Sequence, residues 1–191
     1  MEKKPAARII LASRSPRRKR ALSKIVSKFR TMAVLEPKMA RGKTLRQKTQ
    51  YLAFSKAASA CRRNPRAVVI AADTLARCDK EIFGKAKNRA AAARMVSLLS
   101  GQKMFATTSI AIYLPQGGKI EVWSESGWVK FRKIEQIEIS RYLSSGKWRG
   151  KAGAVNIEEK PVKDWIIRVG GEKDAVIGLP LKRLRKELAK C

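Results

Sequence analysis

The chain has 191 residues, 45% of them hydrophobic, which suits one domain or two tightly packed lobes around a cleft. Its 44 Lys and Arg against 15 Asp and Glu give a formal net charge of +29. Histidine is absent and the three cysteines form no C-x-x-C pair, which excludes His-dependent triads and metal motifs and argues against a zinc site or a disulfide framework. The same cysteine usage favours a reducing compartment, so we predict a cytoplasmic protein. No apolar run approaches the ~20 residues of a membrane helix.

The excess of positive charge has two interpretations. It predicts salt-sensitive adhesion to polyanions such as nucleic acid or an anionic membrane. Alternatively, it is a compositional bias spread over a solvated surface, because the cations are scattered along the whole chain and identify no docking face. Composition leaves both interpretations open.

In chain order, the pattern predicts strands that alternate with helices. A strand at 9–12 is followed by a turn and a helix over 20–29. The remaining predicted elements are a helix at 45–60, a strand at 68–72, a helix at 88–99, strands at 105–114, 120–122 and 128–131, a helix at 134–144, a strand at 165–169 and a helix at 181–189. This alternation indicates an α/β domain, in which ligands lie beyond the carboxyl ends of the strands.

The turn after the first strand is a candidate phosphate site. It contains Ser13, Ser15 and the paired Arg17 and Arg18, directly before a helix. Hydroxyls, guanidinium groups and the amino end of a helix all bind phosphate oxygens.

A second group of candidates lies further along the chain. Asp73 follows the buried run 68–72 and is either a metal ligand or general base, or a carboxylate that caps a turn. Lys56 on the helix at 45–60 and Lys85 after Gly84 are either phosphate-binding cations or surface lysines. Glu36 is a candidate second oxygen ligand. Magnesium takes one or two carboxylates together with substrate phosphates and waters, so these residue types suit phosphoanhydride hydrolysis.

Seven short motifs follow one another along the chain. They are Ser13-Arg14-Ser15-Pro16-Arg17-Arg18, Lys56-Ala57, Ala72-Asp73-Thr74, Gly84-Lys85, Leu99-Ser100-Gly101, Lys151-Ala152-Gly153 and Val176-Ile177-Gly178-Leu179-Pro180-Leu181. Their order and spacing are typical of the Maf family of nucleotide pyrophosphatases, also called septum-formation inhibitors. The chain therefore resembles this family from nearly one end to the other.

The resemblance implies a two-lobed, mixed-sheet α/β fold related to the inosine-triphosphate pyrophosphatases, with a central cleft. It implies a house-cleaning enzyme that hydrolyses a nucleoside triphosphate to the monophosphate and pyrophosphate with Mg²⁺ or Mn²⁺, and a homodimer. The family's base falls on Asp73, and its metal ligands fall on Glu36 and Asp73. Its phosphate-binding residues fall on Ser13, Ser15, Arg18, Lys56 and Lys85.

Three positions that the family links to substrate choice fall on Arg17, Thr74 and Glu158. Arg17 and Thr74 resemble the branch that acts on dTTP and UTP, whereas Glu158 resembles the branch that acts on 7-methyl-GTP. We predict a pyrimidine triphosphate as the substrate. The alternatives are 7-methyl-GTP hydrolysis, an inactive scaffold of the same fold, and a basic nucleic-acid-binding protein without hydrolytic activity.

Overall fold

The structure, a computed structural model, describes residues 8–35, 37 and 39–189. The strands are β1 (Ile9–Leu11), β2 (Arg30–Thr31), β3 (Val68–Cys78), β4 (Glu81–Phe83), β5 (Lys103–Leu114), β6 (Lys119–Phe131) and β7 (Ile166–Gly171). The helices are α1 (Pro16–Ser23), α2 (Leu45–Arg63), α3 (Arg89–Leu99), α4 (Gln136–Ser144), α5 (Lys173–Ile177) and α6 (Leu181–Leu188), with a 3₁₀ helix at Val162–Trp165. The chain therefore has the predicted mixed α/β class.

The seven strands form a mixed sheet in the order β2-β1-β3-β5-β6-β7, and β4 pairs with β3 outside this path. The chain divides into two compact units. Unit 1 takes the described residues of Met1–Asp73, Ser109–Ser124 and Gly178–Cys191, and unit 2 takes Thr74–Thr108 and Glu125–Ile177. β3, β5 and β6 each contribute residues to both units.

In unit 1 the sheet is buried on both faces, which explains the continuous apolar run at the start of β3. β1 pairs in parallel with β3, with Ile10 opposite Val69. Because successive side chains of a strand point to opposite faces, Val68 and Ile70 join one apolar cluster and Val69 and Ala71 join another. The first cluster includes residues of α1 and α6, and the second includes residues of α2.

α2 packs its small residues against the sheet. Its buried positions are Thr49, Ala53, Lys56, Ala57 and Ala60, spaced three or four residues apart along one face of the helix. Alanine allows the helix to approach the strands closely. Lys56 therefore lies on the inner face of α2 and is only 3% exposed.

The predicted helix over 20–29 is wrong at both ends. α1 begins at Pro16, because Ser15 caps it and proline suits the first helical turn, and it ends at Ser23. β2 pairs in parallel with β1, so the chain has to return to the amino end of β1 before Arg30. A helix extended to Phe29 would leave no residues for that turn.

The other predicted elements are present with shifted boundaries, and one pair of predicted strands is a single strand. The runs 120–122 and 128–131 both belong to β6, because Ser126 and Gly127 continue the strand and Gly127 pairs with Gly171 of β7. A side chain at Gly127 would meet the Glu172 carbonyl oxygen at 2.3 Å, so glycine permits this close approach. Sequence patterns did not predict β2, β4, α5 or the 3₁₀ helix. In the described part of the chain, no helix is both long and apolar enough to span a bilayer.

Unit 2 has its own apolar core and a structural ion pair at its α4 end. Arg132 donates two hydrogen bonds to Glu138, of 2.9 and 2.7 Å. Glu138 also accepts from the Trp165 indole N–H and from the Glu135 amide, so it joins the first turn of α4 to the 3₁₀ helix. The guanidinium of Arg132 is the main reason that the pKa of Glu138 falls from 4.5 to about 2.

Candidate active site

The loop between β1 and α1 is held by hydrogen bonds among its own polar groups. The Ser13 hydroxyl accepts from the Ser15 amide at 3.2 Å and from the Arg18 guanidinium at 3.5 Å. The Ser15 hydroxyl accepts from the Arg18 amide, and Arg18 Nε donates to the Gly178 carbonyl at 2.9 Å. The two hydroxyls and the guanidinium are thus positioned together at the amino end of α1, where partial positive charge favours anions.

Lys56 and Asp73 form a buried ion pair. The Lys56 ammonium donates to Asp73 Oδ1 at 2.5 Å, and their side chains are 4% and 11% exposed. Strand alternation explains the meeting, because Asp73 shares the parity of Val69 and Ala71, which face α2. Lys56 and Asp73 therefore meet because Lys56 lies on the buried face of α2 and Asp73 lies on the face of β3 that packs against α2.

The Lys56–Asp73 pair lies at β3, the strand adjacent to the carboxyl end of β1. The Ala12 amide donates to the Ile70 carbonyl, at 2.7 Å, and Ser13 is the next residue along. The carboxyl end of β1 and the Asp73 segment of β3 therefore lie on adjacent parallel strands within unit 1. This is the arrangement in which open α/β sheets bind ligands.

The pair is a poor candidate for a purely stabilising contact. Removing two charges from water costs several kcal/mol per ion, and replacing a buried pair with apolar residues is often neutral or stabilising. Asp73 is therefore a carboxylate held in place by a cation, not the turn cap that the sequence left open.

The donor set is compatible with a hard divalent cation. Magnesium requires only one or two carboxylates when a substrate supplies phosphate oxygens. Asp73 has a second carboxylate oxygen besides the one bonded to Lys56. Glu36, the other predicted ligand, lies outside the described residues. Within 8–35, 37 and 39–189, no group of three or more His, Cys, Asp or Glu side chains forms a metal-sized cluster.

Thr74 begins the part of β3 that belongs to unit 2, and its hydroxyl has a defined donor direction. The Thr108 hydroxyl donates to the Ala175 carbonyl at 2.6 Å. Thr108 has one hydroxyl proton, so in the 2.7 Å contact between the two threonines Thr74 is the donor. The Thr74 oxygen can therefore only accept from any further polar group.

Lys85 and Glu158 lie in two segments of unit 2 that are joined by backbone contacts. Lys85 forms an antiparallel bridge with Ala152, and the Gly153 amide donates to the Gly84 carbonyl at 3.0 Å. The strand-like segment of the Gly-Lys motif is thereby fixed to the Lys-Ala-Gly motif. Glu158 follows on an exposed turn, where its amide donates to the Asn156 side chain at 3.3 Å.

The structure thus brings the predicted residues of unit 1 into one neighbourhood and describes the others within unit 2. Ser13, Ser15 and Arg18 share one loop, Arg17 is half-buried on α1, and Lys56 pairs with Asp73. Sequence reasoning missed Gly178 and Thr108, which hold Arg18 and Thr74 through hydrogen bonds. Gly178 lies within one of the seven motifs, but its carbonyl carries no signal in the sequence. The run of hydroxyls from Thr107 to Ser109 is the signal that could have identified Thr108.

Comparisons with known proteins agree along almost the whole chain. A model of the Maf-like protein family matches residues 8–191. A dTTP/UTP pyrophosphatase of Aquifex aeolicus is 36% identical over 182 residues, covering 95% of this chain and 94% of that protein. A dTTP/UTP pyrophosphatase of Novosphingobium aromaticivorans is 33% identical over 182 residues, covering 94% and 90%. Among solved structures, the Staphylococcus aureus Ham1 protein has a TM-score of 0.48 and 15% identity over 65% of this chain and 71% of that one.

Proposed function

The chain belongs to the Maf family, and from that premise we propose that it is a nucleoside triphosphate pyrophosphatase that acts on dTTP or UTP. The observation that supports this proposal best is the buried Lys56–Asp73 ion pair, on the strand adjacent to the Ser13–Arg18 loop. A buried carboxylate beside a phosphate-binding loop provides a base and cationic groups within one unit. Relatives named dTTP/UTP pyrophosphatase supply the substrate class.

The proposed reaction is attack of water on the α-phosphorus. Asp73 accepts a proton from the water, the water oxygen bonds to the α-phosphorus, and the bond from that phosphorus to the bridging oxygen of the β-phosphate breaks. The products are the nucleoside monophosphate and pyrophosphate. Arg18 and Lys56 stabilise the charge that develops on the phosphate oxygens, and Ser13 and Ser15 donate hydrogen bonds to them. Lys85 is the proposed third cation.

The proposal includes a divalent cation, because carboxylate and phosphate oxygens are the ligands that such a cation prefers. Asp73, with Glu36, would hold Mg²⁺ or Mn²⁺. When bound, the cation neutralises phosphate charge and polarises the phosphoryl oxygens. Lys56 keeps the Asp73 carboxylate in a fixed orientation, since it holds Oδ1 on the inner face of α2.

The hydrogen-bonding capacity of Thr74 supports a uracil or thymine base. Its oxygen only accepts from further partners, and the Glu158 carboxylate also accepts. Uracil and thymine carry an N–H at position 3 that such groups recognise, whereas the same position of cytosine only accepts. The base of 7-methyl-GTP also presents N–H donors, so 7-methyl-GTP remains the second candidate substrate, on account of Glu158.

Pyrophosphate release from a substrate panel tests the proposal. The panel contains dTTP, UTP, CTP, GTP and 7-methyl-GTP, each with Mg²⁺ or Mn²⁺ and at low and high salt. We expect turnover of dTTP and UTP and little of CTP. Turnover of 7-methyl-GTP alone would assign the chain to the branch of the family that acts on 7-methyl-GTP. No turnover of any nucleotide would refute the proposed pyrophosphatase activity.

Asp73→Asn, assayed in parallel, tests the base. Asparagine keeps the shape and removes the charge, so we expect kcat to fall about 10²-fold or more. The matched control is Glu138→Gln, the same chemical change in the ion pair of unit 2, which should leave kcat unchanged. Circular dichroism checks that each variant is folded under the assay conditions. Wild-type turnover by folded Asp73→Asn would remove Asp73 as the base.

A further inference from the structure

A broad groove in unit 1 lies along α1 and reaches the amino end of β1. Its cationic lining residues are Arg8, Lys19, Arg20, Lys28 and Arg30. Its apolar lining residues are Ile9, Pro16, Ile25, Val26, Phe29 and Leu188. Among the described residues that line this basic groove, none is acidic, although the chain as a whole carries 15 Asp and Glu.

α1 presents two cationic faces with different surroundings. Lys19 and Arg20 line the basic groove with Pro16 and Ser23, a spacing of three and four residues that defines one face of the helix. Arg18 faces another direction, since it donates to Gly178 and Ser13. The cations that follow one another in sequence are therefore divided between the candidate active site and the groove.

The groove combines an apolar floor with a charged rim. Ile25, Val26 and Phe29 are half-buried and pack against the unit 1 core, whereas Lys19 and Arg20 are exposed. The segment 24–29 has no regular secondary structure, and its half-buried apolar residues form the floor of the groove.

We propose that the basic groove binds single-stranded nucleic acid, independently of the nucleotide site. The five cations that line the groove suit the phosphates of a polynucleotide backbone. Phe29 and the aliphatic floor suit unstacked bases, because proteins that bind single strands combine a charged groove with stacking surfaces.

The same features favour a single strand over the other polyanions. A duplex keeps its bases inside the helix, so it would leave the apolar floor without a partner. Binding to a bilayer requires exposed apolar residues, whereas Phe29 is half-buried against the unit 1 core and Lys19 and Arg20 are exposed. A single strand offers both phosphates for the charged rim and exposed base faces for the apolar floor.

Fluorescence anisotropy with a labelled oligouridine 12-mer tests the proposal, with the salt concentration varied. Lys19→Gln with Arg20→Gln should weaken binding about tenfold or more and reduce the slope of log K against log salt by about 1.4, since each single-strand phosphate contact contributes about 0.7. Lys28→Gln with Arg30→Gln provides a second, independent pair. The matched control is Lys133→Gln with Lys163→Gln, two exposed lysines of unit 2 with the same change in net charge.

Two further measurements test the stacking surface and the independence of the groove from the nucleotide site. Phe29→Leu should weaken binding about fivefold while leaving the salt slope unchanged, because it removes a stacking face and no charge. A large excess of UTP should not displace the oligonucleotide. Circular dichroism confirms that each variant is folded.

Several outcomes would overturn the proposal. The wild type and both groove variants could bind the oligonucleotide equally, or the control pair could lose as much affinity as the groove variants. Either result would mean that the oligonucleotide binds through the overall positive charge and not through the groove. Displacement by UTP would place the oligonucleotide in the nucleotide site. Equal affinity for a duplex of the same length, or tighter binding to phosphatidylserine vesicles that is lost in the groove variants, would assign the surface to another polyanion.

Discussion

The two units each contain a cation–carboxylate pair, and the pairs differ in what surrounds them. Lys56 and Asp73 in unit 1 are 4% and 11% exposed and share one hydrogen bond of 2.5 Å. Arg132 and Glu138 in unit 2 are 37% and 29% exposed and share two, and Glu138 accepts further bonds from Trp165 and Glu135. Unit 2 therefore places its pair where water and additional donors satisfy the charges.

This difference separates a structural ion pair from one suited to chemistry. The Arg132–Glu138 pair connects the first turn of α4 with the 3₁₀ helix and gains from its hydrogen bonds. The Lys56–Asp73 pair is the more deeply buried of the two, so removing its charges from water costs more free energy. Under the proposed function, these buried charges act on the substrate phosphates and the attacking water.

The largest expected effect on stability is in the buried pair. Lys56→Met leaves the Asp73 carboxylate buried without its ammonium and should lower the free energy of unfolding by about 3–5 kcal/mol. Urea unfolding at pH 7 measures this loss. Lys56→Met combined with Asp73→Asn removes both charges and should be more stable than Lys56→Met alone.

That double variant is also the control for the comparison of the two ion pairs. If Lys56→Met and the double variant unfold at the same urea concentration, the buried carboxylate carries no penalty. The distinction between the two pairs would then rest on activity alone.

The second expected effect is a pH dependence of stability that comes from the Arg132–Glu138 pair of unit 2. The folded pKa of Glu138, about 2, lies below its usual 4.5, so its contribution to stability is present above pH 4.5 and is lost as the pH falls towards 2. Glu138→Gln should lower stability at pH 7, and the difference from wild type should shrink between pH 5 and pH 3. Urea unfolding across pH 3–7 measures it, and a difference that is constant across that range would contradict the assignment.

The smallest expected effect compares two helix caps. Ser15 caps α1 through a 3.5 Å hydrogen bond, and Asn88 caps α3 in unit 2 through a 2.8 Å bond. Replacing a cap by alanine costs about 0.5–2 kcal/mol, so Asn88→Ala should lie near the upper end of that range and Ser15→Ala near the lower. Ser15→Ala should also raise KM for the nucleotide, whereas Asn88→Ala should not. Thermal unfolding measures the effect on stability, and steady-state kinetics measures the effect on KM.

Local signals predicted much of the fold. The pattern predicts that Asn88 caps α3 and that Gly101 follows its end, and the structure has both, with a φ of 69° at Gly101. The run 68–72 is a strand buried on both faces. Elements that depend on pairing were missed or misjudged, because β2 has only two residues and is defined by its partner β1, and because the turn at 24–29 exists to bring the chain back to that partner.

The candidate site shows the same division. The motifs identified Ser13, Arg18, Lys56 and Asp73, because those residue types suit phosphate chemistry and their order is typical of one family. The pairing of Lys56 with Asp73 was not predicted, since it depends on which face of α2 meets which side of β3. The assignments of Lys85, Glu158 and Glu36 remain predictions, of which the substrate panel addresses that of Glu158.

The sequence by itself determined the α/β class, the two-sided burial at the start of β3, the cap of α3 and the family, because these depend on short-range periodicity and on motifs. Tertiary structure decided that Lys56 lies inside, that the Thr74 hydroxyl donates to Thr108, and that neighbouring cations of α1 face different surroundings. Each of these depends on contacts between residues far apart in the chain. A pattern along the sequence determines which residues can be buried, whereas packing determines which of them meet.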